Sequence, residues 1–256
     1  MIRTALIAFT TTVAVTAIAQ IAPGERRSGA EFMSPSTQAM QKDDTSNPGM
    51  LAALEGETLW NAPAGNEGKS CASCHGPADK SMKGVAARYP AIHQSTSMPV
   101  DLQGRINLCR SDNQKASPLR FESRELLALT TYVALQSRGM PVSPPDDARL
   151  DPFRNQGETL WRQRFGQLNF SCAQCHDDNW GKRLGSAPIP QAHPNGYPIY
   201  RLEWQGMGSL QRRLRNCMAG VRAEPFGFGS DEFIALELYL MSRAAGMPME
   251  TPGVRP

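Results

Sequence analysis

The sequence predicts a mainly α-helical protein of two tandem domains with long irregular loops, and three observations predict it. First, the chain is written twice. Gly56-Glu57-Thr58-Leu59-Trp60 recurs as Gly157-Glu158-Thr159-Leu160-Trp161, and Cys71-Ala72-Ser73-Cys74-His75 recurs as Cys172-Ala173-Gln174-Cys175-His176, both at an offset of 101 residues. Glu125 to Ala134 then parallels Glu232 to Met241, and Gly139-Met140-Pro141 matches Gly246-Met247-Pro248, both at an offset of 107. Second, 22 Gly and 20 Pro against 7% aromatic residues point to short helices on long connections, not to a regular sheet or a bundle. Third, the last stretch of each copy carries the apolar spacing of a helix buried on one face. Two copies of one unit make two domains and not a solenoid.

The elements follow in chain order. Residues 1–19 read as an export signal: Arg3, a mostly apolar run from Ala5 to Ala19, and Ala17-Ile18-Ala19 as a small-x-small site cleaved before Gln20. The run falls short of the ~20 apolar residues that a span requires. No later stretch is apolar enough, so the mature chain is expected to lack a membrane span and to sit in an oxidising compartment. Residues 20–48 are rich in Ser, Thr, Gln, Gly and Pro without periodicity, and are expected to be an extended or disordered segment that wraps a partner. Residues 49–141 form the first domain, 142–154 a linker rich in proline and acidic residues, and 155–256 the second domain. Each domain is expected to open with a helix bearing the Gly-Glu-Thr-Leu-Trp segment. A loop ending in the Cys-x-x-Cys-His motif follows, then a long connection and a final amphipathic helix. In the second copy Ser230 can cap that helix, with Asp231 and Glu232 favoured in its first turn. Phe233, Leu236, Leu240 and either Ile234 or Met241 make its buried face, and Gly246 with Pro248 ends it. A net charge of +3 is too weak for a nucleic-acid binder, which needs a dense basic stripe.

The six cysteines divide evenly, Cys71, Cys74 and Cys109 in one copy and Cys172, Cys175 and Cys217 in the other. Cys-x-x-Cys-His is the attachment signal for c-type haem. Its two thiols add across the haem vinyl groups, and the adjacent histidine ligates iron. A zinc site would need a fourth ligand at short range, and a redox pair would follow a strand; neither pattern is present. Two motifs therefore predict two haem c groups in two cytochrome c-like domains, each porphyrin filling part of a core that has few aromatic side chains.

The second axial position has several claimants. Met140 and Met247 are equivalent in the repeat, Met98 and Met207 lie in the connecting loops, and His93 and His193 are lone loop histidines. Cys109 and Cys217 come before the final helix, where the sixth-ligand loop belongs, 34 and 41 residues after His75 and His176. A disulfide between Cys109 and Cys217 is the competing reading for an exported chain. A thiolate ligand stabilises ferric iron and drives the potential down, which suits a shuttle poorly and places a reactive sulfur at the metal.

Around Cys217 runs Gln211-Arg212-Arg213-Leu214-Arg215-Asn216-Cys217. If this stretch is helical, Arg213 shares the face of Cys217 and can hold an oxyanion by paired hydrogen bonds. The plainer reading is that Arg212, Arg213, Arg215 and Arg222 solvate a surface or neutralise propionates. Arg105, Arg110 and Asp112 make a thinner cluster at Cys109, so charge density favours the second site for chemistry.

Two Cys-x-x-Cys-His motifs, each with a later cysteine, and the run Arg213-Leu214-Arg215-Asn216-Cys217-Met218-Ala219-Gly220-Val221-Arg222-Ala223-Glu224-Pro225-Phe226 resemble the SoxA family, the dihaem subunits of the SoxAX cytochromes. The resemblance spans roughly residues 50 to 250. It implies thiosulfate oxidation in the bacterial periplasm, with SoxX as a small monohaem partner. Thiosulfate is then joined oxidatively to a cysteine of the carrier SoxYZ, an L-cysteine S-thiosulfotransferase activity that passes two electrons to a soluble cytochrome c acceptor. By position it implies covalent haem on Cys71 and Cys74 with His75 and Cys109 axial, and on Cys172 and Cys175 with His176 and Cys217 axial. It makes Cys217 the catalytic, persulfide-bearing sulfur and Arg213 a substrate contact. The intact first motif places the chain with the dihaem form. The alternatives are a dihaem electron-transfer cytochrome without substrate chemistry and a dihaem peroxidase, the latter disfavoured by the paired downstream cysteines.

Overall fold

The computed structural model describes residues 21–256, so the export signal expected at 1–19 lies outside the described residues. Helix α1 (Pro35–Lys42) precedes the first repeat, which contains α2 (Gly49–Asn61), α3 (Cys71–His75), α4 (Ala78–Ser81), the ribbon β1 (Ala91–His93) and β2 (Met98–Val100), α5 (Leu102–Cys109) and α6 (Arg124–Leu135). The second contains α7 (Asp151–Arg162), α8 (Cys172–His176), β3 (Arg183–Leu184), β4 (Ala187–Pro188), β5 (Ile199–Arg201), β6 (Gly206–Gly208), α9 (Leu210–Gly220), α10 (Asp231–Arg243) and β7 (Gly253–Arg255). The class is mainly α, as the repeat and composition predict. Short antiparallel ribbons occupy the connections, and β5 lies between β6 (antiparallel) and β7 (parallel).

In each repeat the first long helix crosses the last at a glycine. A Cβ on Gly56 would stand 2.1 Å from the Ala128 carbonyl oxygen, and one on Gly157 2.1 Å from that of Ala235. The invariant start of both Gly-Glu-Thr-Leu-Trp segments therefore marks backbone-to-backbone contact between α2 and α6 and between α7 and α10. The tryptophan four residues on turns into the core beside the Cys-x-x-Cys-His helix. Trp60 lies 5.7 Å from His75 and Trp161 5.6 Å from His176, ring centre to ring centre.

The two Gly-Met-Pro segments pair with each other, not with a haem position. Gly139 N–H donates to the Met249 carbonyl (2.8 Å), Met249 N–H to that of Met140 (2.9 Å), and Val142 N–H to that of Met247 (2.8 Å). Beneath this ribbon, Ala86, Ala134, Val142, Met241, Met247 and Met249 form a core shared by both repeats. This explains why α10 departs from the single buried face expected: Phe233, Ile234, Leu236, Leu238, Leu240 and Met241 are all buried, because one side meets α7 and the other meets the first repeat. Ser230 caps α10 through the Phe233 N–H, as expected.

One expectation is corrected. The described part of the N-terminal segment, residues 21–48, is neither extended nor without structure. It contains helical turns at Pro23–Glu25 and Gly29–Phe32 and then α1, each opened by local capping or proline. It packs on the second repeat of its own chain: Arg26 Nη1 donates to the Ala245 carbonyl (2.6 Å), Asn47 Nδ2 to that of Pro252 (2.9 Å), and Val254 N–H to Gln41 Oε1 (2.9 Å). The connection 142–154 runs between the two repeats, with Val142 buried at one end and α7 beginning at Asp151 near the other.

Candidate functional site

Each Cys-x-x-Cys-His forms one helical turn opened by a reciprocal cap. Ser171 Oγ accepts from Gln174 N–H (3.2 Å) while Gln174 Oε1 accepts from Ser171 N–H (2.9 Å); Ser70 and Ser73 do the same in the first repeat. The two-residue spacing thereby becomes a one-turn spacing that sets both thiols on one side. His176 Nδ1 lies 2.6 Å from the Pro190 carbonyl oxygen. A carbonyl only accepts, so Nδ1 carries the proton and Nε2 is left as the ligating atom. Behind the histidine, Trp161 Nε1 donates to Asp177 Oδ2 (2.8 Å), and Asp177 makes a buried ion pair with Arg243 (2.6 Å). The first repeat has a simpler support, Trp60 Nε1 donating to the Gly76 carbonyl (3.1 Å).

The lone cysteines are brought to their own motifs by a second set of backbone bonds. The loop entering α8 docks on the end of α9, Leu168 N–H donating to the Val221 carbonyl (3.3 Å). The loop entering α3 docks beyond α5, Glu67 N–H donating to that of Gln114 (3.3 Å). Burial raises the pKa of Cys71, Cys172 and Cys175, and the neighbouring lone cysteine adds to the rise, Cys109 for Cys71 and Cys217 for Cys172 and Cys175. For Cys172, burial is the larger cause and the thiol is pushed up to about 12. All six cysteines are free, so Cys109 and Cys217 are not joined to one another.

The two lone thiols differ. Burial raises Cys109; Arg105 pulls the other way, while Asp112 and Cys74 add to the rise. Burial also pushes Cys217 up, but His176, Arg213 and Arg201 together hold it below the ordinary thiol value. The second site thus favours thiolate through its own residues, and the first does not.

Helix α9 does place Arg213 one turn before Cys217. Its neighbours are engaged: Arg212 stacks on Trp204 (4.0 Å) and Arg215 lies over Phe228 (4.7 Å) and bonds the Phe226 carbonyl. The guanidinium of the half-buried Arg213 makes no hydrogen bond or ion pair among the described residues, and the Cys217 charge is the main cause that raises its pKa. This is a cation whose donors are unengaged, not a surface group in a solvated cluster.

Sequence reasoning missed two residues here. Arg201 and Tyr197, at β5 and just before it, sit near Arg213 and Cys217, and Arg201 is lowered first by burial and then by Arg213. They lie in a Gly/Pro-rich connection with no periodic pattern, so only the tertiary fold reveals them. His193, a lone loop histidine, is nonetheless buried. It is 6% exposed, neither ring nitrogen has a partner among the described residues, and burial, with Arg243 and Arg26, lowers it to about 4. Met140 and Met247 belong to the inter-repeat ribbon, and Met98 and Met207 lie on β2 and β6.

The donor set fits haem c: two thiols on one turn, an imidazole beside them, and a lone cysteine brought close to each motif. The SoxA/TsdA cytochrome c domain family matches residues 55–142 and 156–249, one stretch per repeat. An L-cysteine S-thiosulfotransferase subunit SoxA from Pseudaminobacter salicylatoxidans is 41% identical over 90% of this chain and 81% of the relative. The protein of the same name from Rhodovulum sulfidophilum is 37% identical over 90% and 80%. The crystal structure of SoxXA from P. pantotrophus superposes with a TM-score of 0.87 at 36% identity, covering 90% of this chain and 87% of that one.

Proposed function

The chain belongs to the SoxA/TsdA cytochrome c family, and from that premise we propose that it is a dihaem SoxA subunit which, with SoxX, joins thiosulfate to a cysteine of the SoxYZ carrier as an L-cysteine S-thiosulfotransferase. The observation that carries this reading is the pairing of an unengaged Arg213 with a thiolate-favouring Cys217 facing His176. Cys71 and Cys74 would hold one haem c with His75 and Cys109 axial, and Cys172 and Cys175 the other with His176 and Cys217 axial. When bound, the haem supplies one-electron redox chemistry beside the sulfur.

The chain's residues then divide the work. Arg213 presents a planar fork of donors to the sulfonate oxygens of thiosulfate, and Arg201 adds a second positive charge to a site that must hold a dianion. That orientation leaves the sulfane sulfur directed at Cys217, the persulfide-bearing group. The carrier thiolate and thiosulfate form one new S–S bond, the thiol proton goes to solvent, and two electrons leave toward SoxX and a soluble cytochrome c acceptor. Among the described residues no helix is long and apolar enough to cross a membrane, which is compatible with a periplasmic location reached through the export signal.

The test combines the purified chain, SoxX, SoxYZ, thiosulfate and ferric cytochrome c. The expected result is one thiosulfate adduct on SoxYZ for every two equivalents of cytochrome reduced, together with an EPR signature of low-spin His/thiolate iron. Cytochrome reduction without an adduct, or a Met–Fe band, would leave only the electron-transfer cytochrome.

A further inference from the structure

The two repeats meet at the N-terminal ends of the helices that carry the lone cysteines. Asp101 caps α5 and Ser209 caps α9, each eight residues before the cysteine of its helix. A cavity of about 90 Å³ lies at this junction, lined among others by Asp101, Ser209, Thr130 and Glu237. These are repeat equivalents: Asp101 corresponds to Ser209, and Thr130 to Glu237. The near-symmetry is broken so that each repeat contributes one carboxyl group to the shared space.

No arginine or lysine accompanies the pair. Both Asp101 oxygens accept from neutral donors, Oδ1 from Gly104 N–H (2.6 Å) and Oδ2 from Gln211 Nε2 (3.0 Å). Gln211 Oε1 accepts from Gly229 N–H (2.7 Å), which fixes the orientation of the amide. Asp101 is thus built to carry the charge, and Glu237 beside it to carry a proton. The titratable groups that face the pair are Glu122 from the loop before α6, with Arg212 nearest to it, and Tyr89 and Tyr197 on the cavity wall. Gln103, 5% exposed, also lines this space, and its amide nitrogen has no partner among the described residues, so a mostly apolar cavity carries a few polar groups that a water can bridge. Burial raises Asp101 to about 6, and burial together with the Asp101 charge raises Glu237 well above the usual carboxylate range. Two neighbouring carboxyl groups without a cation, one buried and one half-buried, do not readily ionise together.

We propose that Asp101 and Glu237 form a proton-binding site between the repeats, which takes up a proton when either haem position is reduced. The proposal rests on the haem assignment above. Eight residues at a 1.5 Å rise place each cysteine sulfur about 12 Å along its helix from this junction. A charge change at either end is felt through a low-dielectric interior, and the pair stands between the two ends. An electron delivered by thiosulfate conjugation adds one negative charge, and a proton from solvent, bound as a carboxyl O–H through the cavity waters, compensates it. Neither step breaks a bond within the chain.

The test uses the holoprotein, with two covalent haems first verified by mass, so that failure of the haem assignment is recognised separately. Reduction potentials of both haems are titrated between pH 5.5 and 8 in the native chain and in Asp101→Asn, which keeps a capping oxygen but cannot take up the proton. Both potentials should fall as pH rises, and the variant should lose at least half of that slope at both haems. A carboxylic-acid band should appear in the native reduced-minus-oxidised infrared spectrum, shift in D2O, and vanish in the variant. Flat native potentials, or a slope unchanged in Asp101→Asn, would overturn the proposal. If the variant does not fold, absence of the D2O-sensitive band in the native protein overturns it alone.

Discussion

Arg213 and Cys217 stand one turn apart on the same side of α9, and the charge of the sulfur is the main influence on a guanidinium that has no carboxylate partner among the described residues. The arrangement leaves a donor fork unengaged beside this sulfur, as the proposed reaction requires.

Arg213→Ala should therefore lower kcat/KM for thiosulfate by about 10–100-fold, the range expected when a hydrogen-bonded charge contact of ~1.5–3 kcal/mol is lost. Arg212→Ala should cost much less, because Arg212 is occupied with Trp204. Arg213→Lys should restore only part of the loss, since an ammonium lacks the planar fork. Equal losses at both arginines in steady-state assays would point to a diffuse field.

Cys217→Ser should abolish thiosulfate-dependent turnover with SoxYZ while intact mass still reads two haem additions, because attachment depends on Cys172 and Cys175 and not on the opposing sulfur. Normal turnover in that variant would remove Cys217 from the reaction.

Gly157→Ala should destabilise the second repeat by about 3 kcal/mol or more, at or above the upper end of typical overpacking costs. The new methyl would meet the Ala235 carbonyl oxygen at 2.1 Å, and backbone on a packed helix cannot yield as a flexible side chain can. Gly56→Ala should act likewise on the first repeat against Ala128. Denaturant unfolding measures both.

His193 predicts a pH dependence on the acid side. Its folded value is lowered from 6.5 to about 4, so below pH 6.5 the unfolded chain binds a proton that the folded chain refuses. The contribution to stability is present above pH 6.5 and is lost as pH falls toward 4, to a total of about 3 kcal/mol at ~1.4 kcal/mol per unit. In His193→Gln the fall in thermal stability over that window should be correspondingly smaller; an identical pH profile would show that other groups govern it.

The sequence by itself determined the doubling of the unit, the helical class, the haem-attachment turns and the pairing of each turn with a downstream cysteine. These are local properties: Cys-x-x-Cys-His works through one turn of helix, and Arg213 reaches the side of Cys217 because four residues are about one turn. The glycines of the Gly-Glu-Thr-Leu-Trp segments were legible as a repeat but not as a helix crossing, since the carbonyl they admit lies more than seventy residues away. Only the tertiary structure decided that Met140 and Met247 serve the inter-repeat ribbon, that the segment before α1 folds back on the second repeat, and that Arg201 and Tyr197 join the Cys217 site. It also decided that Asp101 and Glu237, unremarkable in a linear reading, share one buried space. The reason is the same each time: burial and charge are set by what packs from distant parts of the chain, and no spacing within a single segment encodes which distant part that is.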